Sequence, residues 1–140
     1  MIAVLNMRSV HWRAMRRHVS KQAPLEACGV LAGKGGSVEV VLEVRNAEQN
    51  PVRFRMDPRE QYNAFDWIEA NGLELVGIFH SHPSGPDTVS RTDIDEAAYE
   101  VVHVLWFLSD LTWHARGFWI EAEEVSEVTL QIVDKQQPNS

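Results

Sequence analysis

The segment "GIFHSHPSGPDTVSRTD" (77–93) carries the chain's only His-x-His pair and ends on Asp93. The apolar run leading into it, "LELVGIF" (73–79), suits a strand buried on both faces and delivers the chain to His80. The His-x-His pair, Pro83, Gly85 and Pro86 together read as one short exposed turn, with lability over 83–90 from its Gly-Pro content. In extended backbone successive side chains alternate, so His80 and His82 project to one side and Ser81 to the other. Two imidazoles on one side can share a metal ion, and a carboxylate at the start of the next helix could supply a third ligand. Ten residues separate His82 from Asp93, which falls near that helix start. Two histidines, one aspartate and a water make a four-coordinate zinc site with an open position, the arrangement of hydrolytic zinc. Such a site lowers the pKa of its water to about 7 and polarises a carbonyl. A lone His-x-His is nevertheless a weak signal, and Ser90-Arg91-Thr92-Asp93 reads equally well as a plain capping box.

Working outward, "IAVLN" (2–6) reads as a first strand and Ser9 as the N-cap of a helix with Trp12, Met15 and Val19 at helical spacing. Pro24 ends that segment. "ACGVLAG" (27–33) and "SVEVVLEV" (37–44) read as two strands around the turn "KGG". Asp57, Pro58 and Glu60 form the start of a second helix, an Asp-x-x-Glu capping box with proline at the first position. Tyr62, Phe65 and Ile68 line one face of it, and Asn71-Gly72 closes it. Beyond the His-x-His turn, Ile94, Ala97, Ala98 and Val101 predict a helix beginning near Ser90. "VVHVLWFL", "GFWIE" and "VTLQIV" add three strands. Strands interleaved with about three helices predict a three-layer α/β domain with a mixed β-sheet. One domain is expected over residues 1–134, with "KQQPNS" (135–140) as a flexible tail.

The balance of charge narrows the function. A net charge of −7 argues against a general nucleic-acid binder, whose phosphate contacts need a basic footprint. Arg8, Arg13, Arg16, Arg17 and Lys21 gather near the N-terminus, and Glu121, Glu123, Glu124, Glu127 and Asp134 near the C-terminus, as two solvated faces. The single cysteine, Cys28, excludes an internal disulfide and a zinc site built from several thiolates. It reads as a small core residue. His11, His18, His103 and His114 have no ligand-like neighbours in sequence, and the last two sit in apolar or aromatic runs as structural residues. No apolar run approaches the length of a membrane span, and no secretory pattern opens the chain, so a cytoplasmic location is expected.

Other metal patterns fail. There is no His-Glu-x-x-His helix and no Pro-Cys-x-x-Cys, and positions 84 and 85 hold Ser and Gly where a His-x-His-x-Asp-His hydrolase needs Asp and His. One pattern fits. "HSHP" (80–83), Ser90 and Asp93 match His-x-His-x(10)-Asp with an inner Ser-x-x-Asp, and "PLEACGVLAG" (24–33) offers Glu26 at the opening of a strand. In these residues the chain closely resembles the JAMM, or MPN+, metallopeptidase family, in particular its small prokaryotic members.

That resemblance implies a cytidine deaminase-like fold and one Zn²⁺ per chain held by His80, His82 and Asp93. Glu26 would take a proton from the attacking water and pass it to the leaving amine. Ser90 would donate to the oxyanion, a contact worth ~3 kcal/mol, where a capping role alone is worth ~1 kcal/mol. The implied substrates are the C-termini of ubiquitin-like or β-grasp sulfur-carrier proteins, cleaved at a peptide or isopeptide bond. No nucleic-acid or membrane partner is expected, and a homo-oligomer is left open. A non-catalytic scaffold of the same fold would typically lack one of these ligands. "HSHPSG" is also similar to JAMM domains linked to DNA repair, against which the acidic balance weighs.

Overall fold

Seven strands and three helices alternate along the chain in the computed structural model, which describes residues 1–134. The tail expected at 135–140 lies outside the described residues. In chain order the elements are β1 (Val4–Met7), α1 (Ser9–Gln22), β2 (Cys28–Lys34), β3 (Ser37–Val44), α2 (Pro58–Ala70), β4 (Glu74–His82), α3 (Arg91–Asp95), β5 (Val102–Ser109), β6 (Thr112–Glu121) and β7 (Glu124–Ile132). The sheet runs β1-β3-β2-β4-β5-β6-β7 and closes on itself, because β1 pairs in parallel with β7 and touches β3 through Asn6 and Ser37. The sheet is mixed: β4 lies antiparallel to β2 and parallel to β5, and α3 lies in the crossover between β4 and β5.

Alternation along the strands builds two faces. Leu31, Phe79, Val104 and Trp106 meet Met15 and Val19 of α1 on one face. Val30, Ala32 and Ile78 meet Ile68 of α2 on the other. Leu105, Phe118 and Ile120 continue beside α3, where Ile94 and Ala97 pack. The three layers expected from the sequence are therefore present, with β4 at the centre and Gly77–His82 wholly buried.

Four local expectations need correction. Helix α1 begins at Ser9 and Arg8 is its N-cap, because the Ser9 N–H and hydroxyl both donate to the Asp134 carboxylate at 2.9 Å, a stronger acceptor than a serine oxygen. Asp57 caps α2 as expected, accepting from the N–H groups of Arg59 and Glu60. Glu60 does not close the box, since its Oε1 accepts the Arg45 N–H at 2.8 Å instead. Tyr62 is 71% exposed, as the buried stripe of α2 runs through Ala64, Phe65 and Ile68. Finally, α3 stops at Asp95 and does not continue to Val101. Tyr99 is drawn sideways onto α2, edge-on to Phe65 and accepting from Gln61, and that anchorage replaces further helical turns.

Gly29 on β2 lets the strand lie against Phe79. A Cβ there would come within 2.3 Å of the Phe79 ring and 2.6 Å of the Leu42 carbonyl oxygen. Gly29→Ala should therefore lose ~1–3 kcal/mol in a urea titration, the range for overpacking a filled core. An unchanged midpoint would show that the ring can swing clear.

Candidate metal centre

The exposed turn expected at His80–His82 is the buried end of β4. The ladder continues through all three residues, pairing His80, Ser81 and His82 with Leu105, Trp106 and Phe107 of β5. Both imidazoles project to the α2 side, and their Nε2 atoms converge on a single oxygen: each lies 3.1 Å from Asp93 Oδ2. Ser81 points to the other side, where its Oγ accepts the Ala27 N–H at 2.8 Å and its own N–H donates to the Ala27 carbonyl at 3.0 Å.

That pair of bonds brings Glu26 to the site. Its Oε2 lies 3.9 Å from His82 Nε2, and its Oε1 is buried without a partner. The Glu26 backbone is held from the far side, its N–H donating to the Asn50 carbonyl and its carbonyl accepting from Asn46 Nδ2. Asp93 is placed by α3. Ser90 Oγ accepts the Asp93 N–H at 3.0 Å, and the Ser90 N–H donates to Asp93 Oδ2 at 2.8 Å. The capping box read from the sequence thus exists and also aims the carboxylate. All five singled-out residues, Glu26, His80, His82, Ser90 and Asp93, converge on one site.

Three residues here gave no signal in the sequence. Asn46 is buried and ties Glu26 to the segment around Arg53. Phe54 stacks on His80 with ring centroids 4.5 Å apart. His103 faces the same cavity as His80. None belongs to a spacing pattern, because each arrives through the register of another element.

Burial dominates the electrostatics. It raises the Glu26 carboxyl to about 8, against the opposing charge of His82 and with the help of Asp93. Burial would raise Asp93 as well, but the His80 charge, bonds to both imidazoles and the Ser90 N–H hold it well below the usual carboxylate range. His82 is pulled down by burial, yet Asp93, the Pro86 carbonyl and Glu26 together leave it above its ordinary value. Burial pulls His103 down to about 4, and pushes the Cys28 thiol up to about 12, as suits an inert core residue.

The donor set fits a metal ion. Tetrahedral bonds of about 2.0–2.1 Å put neighbouring ligand atoms about 3.3 Å apart, close to the 3.1 Å from each imidazole to Asp93. Glu26, His80 and His82 also offer ligand atoms within 4.8 Å of one another. His82 Nδ1 bonds the Pro86 carbonyl at 3.0 Å, the arrangement that leaves Nε2 free to coordinate. A cavity of about 460 Å³ opens beside the site, bordered by Phe54, His80, Asp93, Tyr99 and His103.

A buried His-His-Asp cluster with an adjacent glutamate, set at the end of a central strand, is compatible with a bound metal ion. Residues 8–124 match the family of prokaryotic homologs of the JAB domain, and the chain belongs to that family. It is 35% identical over 122 residues to the desampylase of Pyrococcus furiosus, covering 86% of this chain and 84% of that protein. It is equally similar to a probable TtuB-protein conjugate cleaving protease of Thermus thermophilus, 35% over 117 residues, covering 82% and 76%. Similarity to the CysO-cysteine peptidase of Mycobacterium tuberculosis is 34% over 138 residues, covering 96% and 94%. A solution structure of a protein from Desulfitobacterium hafniense superposes with a TM-score of 0.84 at 30% identity, covering 94% of each chain.

The Glu26 carboxyl titrates near 8 in the fold and near 4.5 in the unfolded chain, so the native state holds its proton across that interval. Its contribution is fully present below about 4.5 and is lost as pH rises through about 8. In chelator-treated protein, Glu26→Gln should become progressively more stable relative to wild type between about pH 5 and about pH 8.5. A difference that stays flat would mean that Glu26 is ionised throughout.

Proposed function

We propose that the chain is a zinc-dependent peptidase or isopeptidase that hydrolyses the bond at the C-terminus of a ubiquitin-like or β-grasp carrier protein. The observation that carries this reading is the convergence of His80 Nε2, His82 Nε2 and Asp93 Oδ2 with Glu26 beside them in a buried pocket. The enzyme names of the relatives, a conjugate-cleaving protease and a CysO-cysteine peptidase, support the substrate class. His80, His82 and Asp93 would hold one Zn²⁺, which supplies polarisation of the scissile carbonyl and lowers the pKa of water to about 7. Residues 1–134 would act as a single domain. No described helix is long and apolar enough to cross a membrane, and we place the activity in the cytoplasm.

Glu26 takes the proton of the attacking water at a carboxylate oxygen as the carbon–oxygen bond forms. It returns that proton to the amine nitrogen as the carbon–nitrogen bond breaks. A carboxyl whose burial moves it toward neutrality suits both halves of that transfer. Ser90 already accepts the Asp93 N–H at its Oγ, which leaves its hydroxyl proton free to donate to the carbonyl oxygen as negative charge grows there. Burial of the cluster excludes bulk water and strengthens each of these contacts.

The test follows intact masses of β-grasp proteins extended beyond their terminal Gly-Gly, incubated with zinc-loaded protein. Wild type should remove the extension, and Glu26→Gln should slow removal by ~10²–10⁴-fold while keeping one zinc per chain. Loss of zinc from Glu26→Gln would make Glu26 a ligand in place of a proton carrier. His82→Ala should release the metal, and retained stoichiometric zinc in that variant would break the proposed ligand set.

A further inference from the structure

The two histidines of the strand are not served alike. His82 Nδ1 has the Pro86 carbonyl as its partner, whereas His80 Nδ1 is buried with none. A coordinating imidazole normally gives its second N–H to a carboxylate, a carbonyl or a water, which fixes its tautomer and ring plane. Close by lies a second incomplete imidazole. His103 is 5% exposed, lies beside the Tyr99 backbone, and its Nε2 is buried without a partner.

The register makes the two rings neighbours. His103 pairs with Ile78 across the β4–β5 ladder, and His80 follows two residues later on the same face. Such diagonal neighbours sit about 7–8 Å apart at their Cα atoms, within reach of side chains this long. Both border the same cavity of about 460 Å³. Their hydrogen-bonding needs are also opposite. A His80 that coordinates through Nε2 carries its proton on Nδ1 and must donate. A neutral His103 with its proton on Nδ1, the nitrogen that is not orphaned, presents a lone pair at Nε2 and must accept.

We propose that His103 is a positioning residue for the metal centre, joined to His80 through one water that accepts from His80 Nδ1 and donates to His103 Nε2. The inference rests on the metal-site reading above and adds to it a residue outside the motif. A single water satisfies two buried groups that otherwise each carry a desolvation cost. His103 then sets the ring plane and basicity of His80 without touching substrate or metal.

Metal affinity tests this directly. Zinc dissociation constants would be measured by competition with a chromophoric chelator for wild type, His103→Phe and His103→Gln, alongside unfolding midpoints of the metal-free proteins. His103→Phe keeps the ring but lacks the acceptor, and should bind zinc ~10–100-fold more weakly. His103→Gln offers an acceptor again and should regain most of the loss. Wild-type affinity in His103→Phe, or a Gln variant as weak as Phe, would overturn the proposal while leaving the metal site standing. Wild type that binds no zinc would instead sink the metal reading itself. Ring-nitrogen NMR of zinc-loaded wild type gives a second reading that needs no variant to fold. It should find His103 protonated at Nδ1 and bare at Nε2, and the opposite tautomer would remove the acceptor and the proposal with it.

Discussion

Two hydrogen bonds between Ser81 and Ala27 hold the site together across the sheet face that carries no chemistry. Ser81 is the middle residue of His-Ser-His, so whatever fixes it fixes the histidines on either side. Ala27 follows Glu26, so the same pair of bonds sets how far the glutamate stands from His82. The Glu26 carboxylate and the imidazole pair come from separate stretches of chain, and no side chain of the site itself joins them closely. A buried serine on the opposite side does so. Because that serine and its partners are sealed from water, the geometry is stiff without using any of the polar capacity needed for reaction.

The cluster is costly to assemble. Two carboxyl groups and two imidazoles share a volume from which solvent is excluded, and burial opposes the charges of Glu26, His82 and Asp93. Asp93 escapes by collecting both imidazoles and the Ser90 N–H on one oxygen. Glu26 has no such support, and burial raises its carboxyl to about 8. This division follows from burial and hydrogen-bond supply together: the carboxylate fed by three donors stays the anion, and the one left unpartnered is moved toward neutrality.

Much of this was legible in the sequence where one continuous segment carried both pattern and meaning. His80, His82 and Asp93 lie between the end of one strand and the start of the next helix, so spacing brought them together, and Ser90 came with them through the inner Ser-x-x-Asp. Glu26 required the family resemblance, since nothing local marks it as more than a residue beside Pro24. The same turn composition misled on burial. Prolines and glycine after His82 predicted exposure, but pairing with β5 keeps His80, Ser81 and His82 in the buried strand up to the residue before Pro83. Tyr62 and the length of α3 were misread because tertiary anchorage, not periodicity, decided them. Asn46, Phe54 and His103 were beyond reach for a different reason. Each gains its role from the register of a neighbouring element, which a linear pattern does not encode.

The seam where β1 meets β7 has a bearing on the order of assembly. β1 touches β3 at one position and otherwise depends on β7, whose residues are the last of the described chain to be synthesised. β1 therefore waits for β7. The strands that frame the site, β2, β4 and β5, are adjacent in the sheet and complete by Ser109. On the ribosome the reactive centre can take shape while the molecule still has an open side. The slow, entropically expensive closure of the longest loop is then confined to a seam remote from the chemistry.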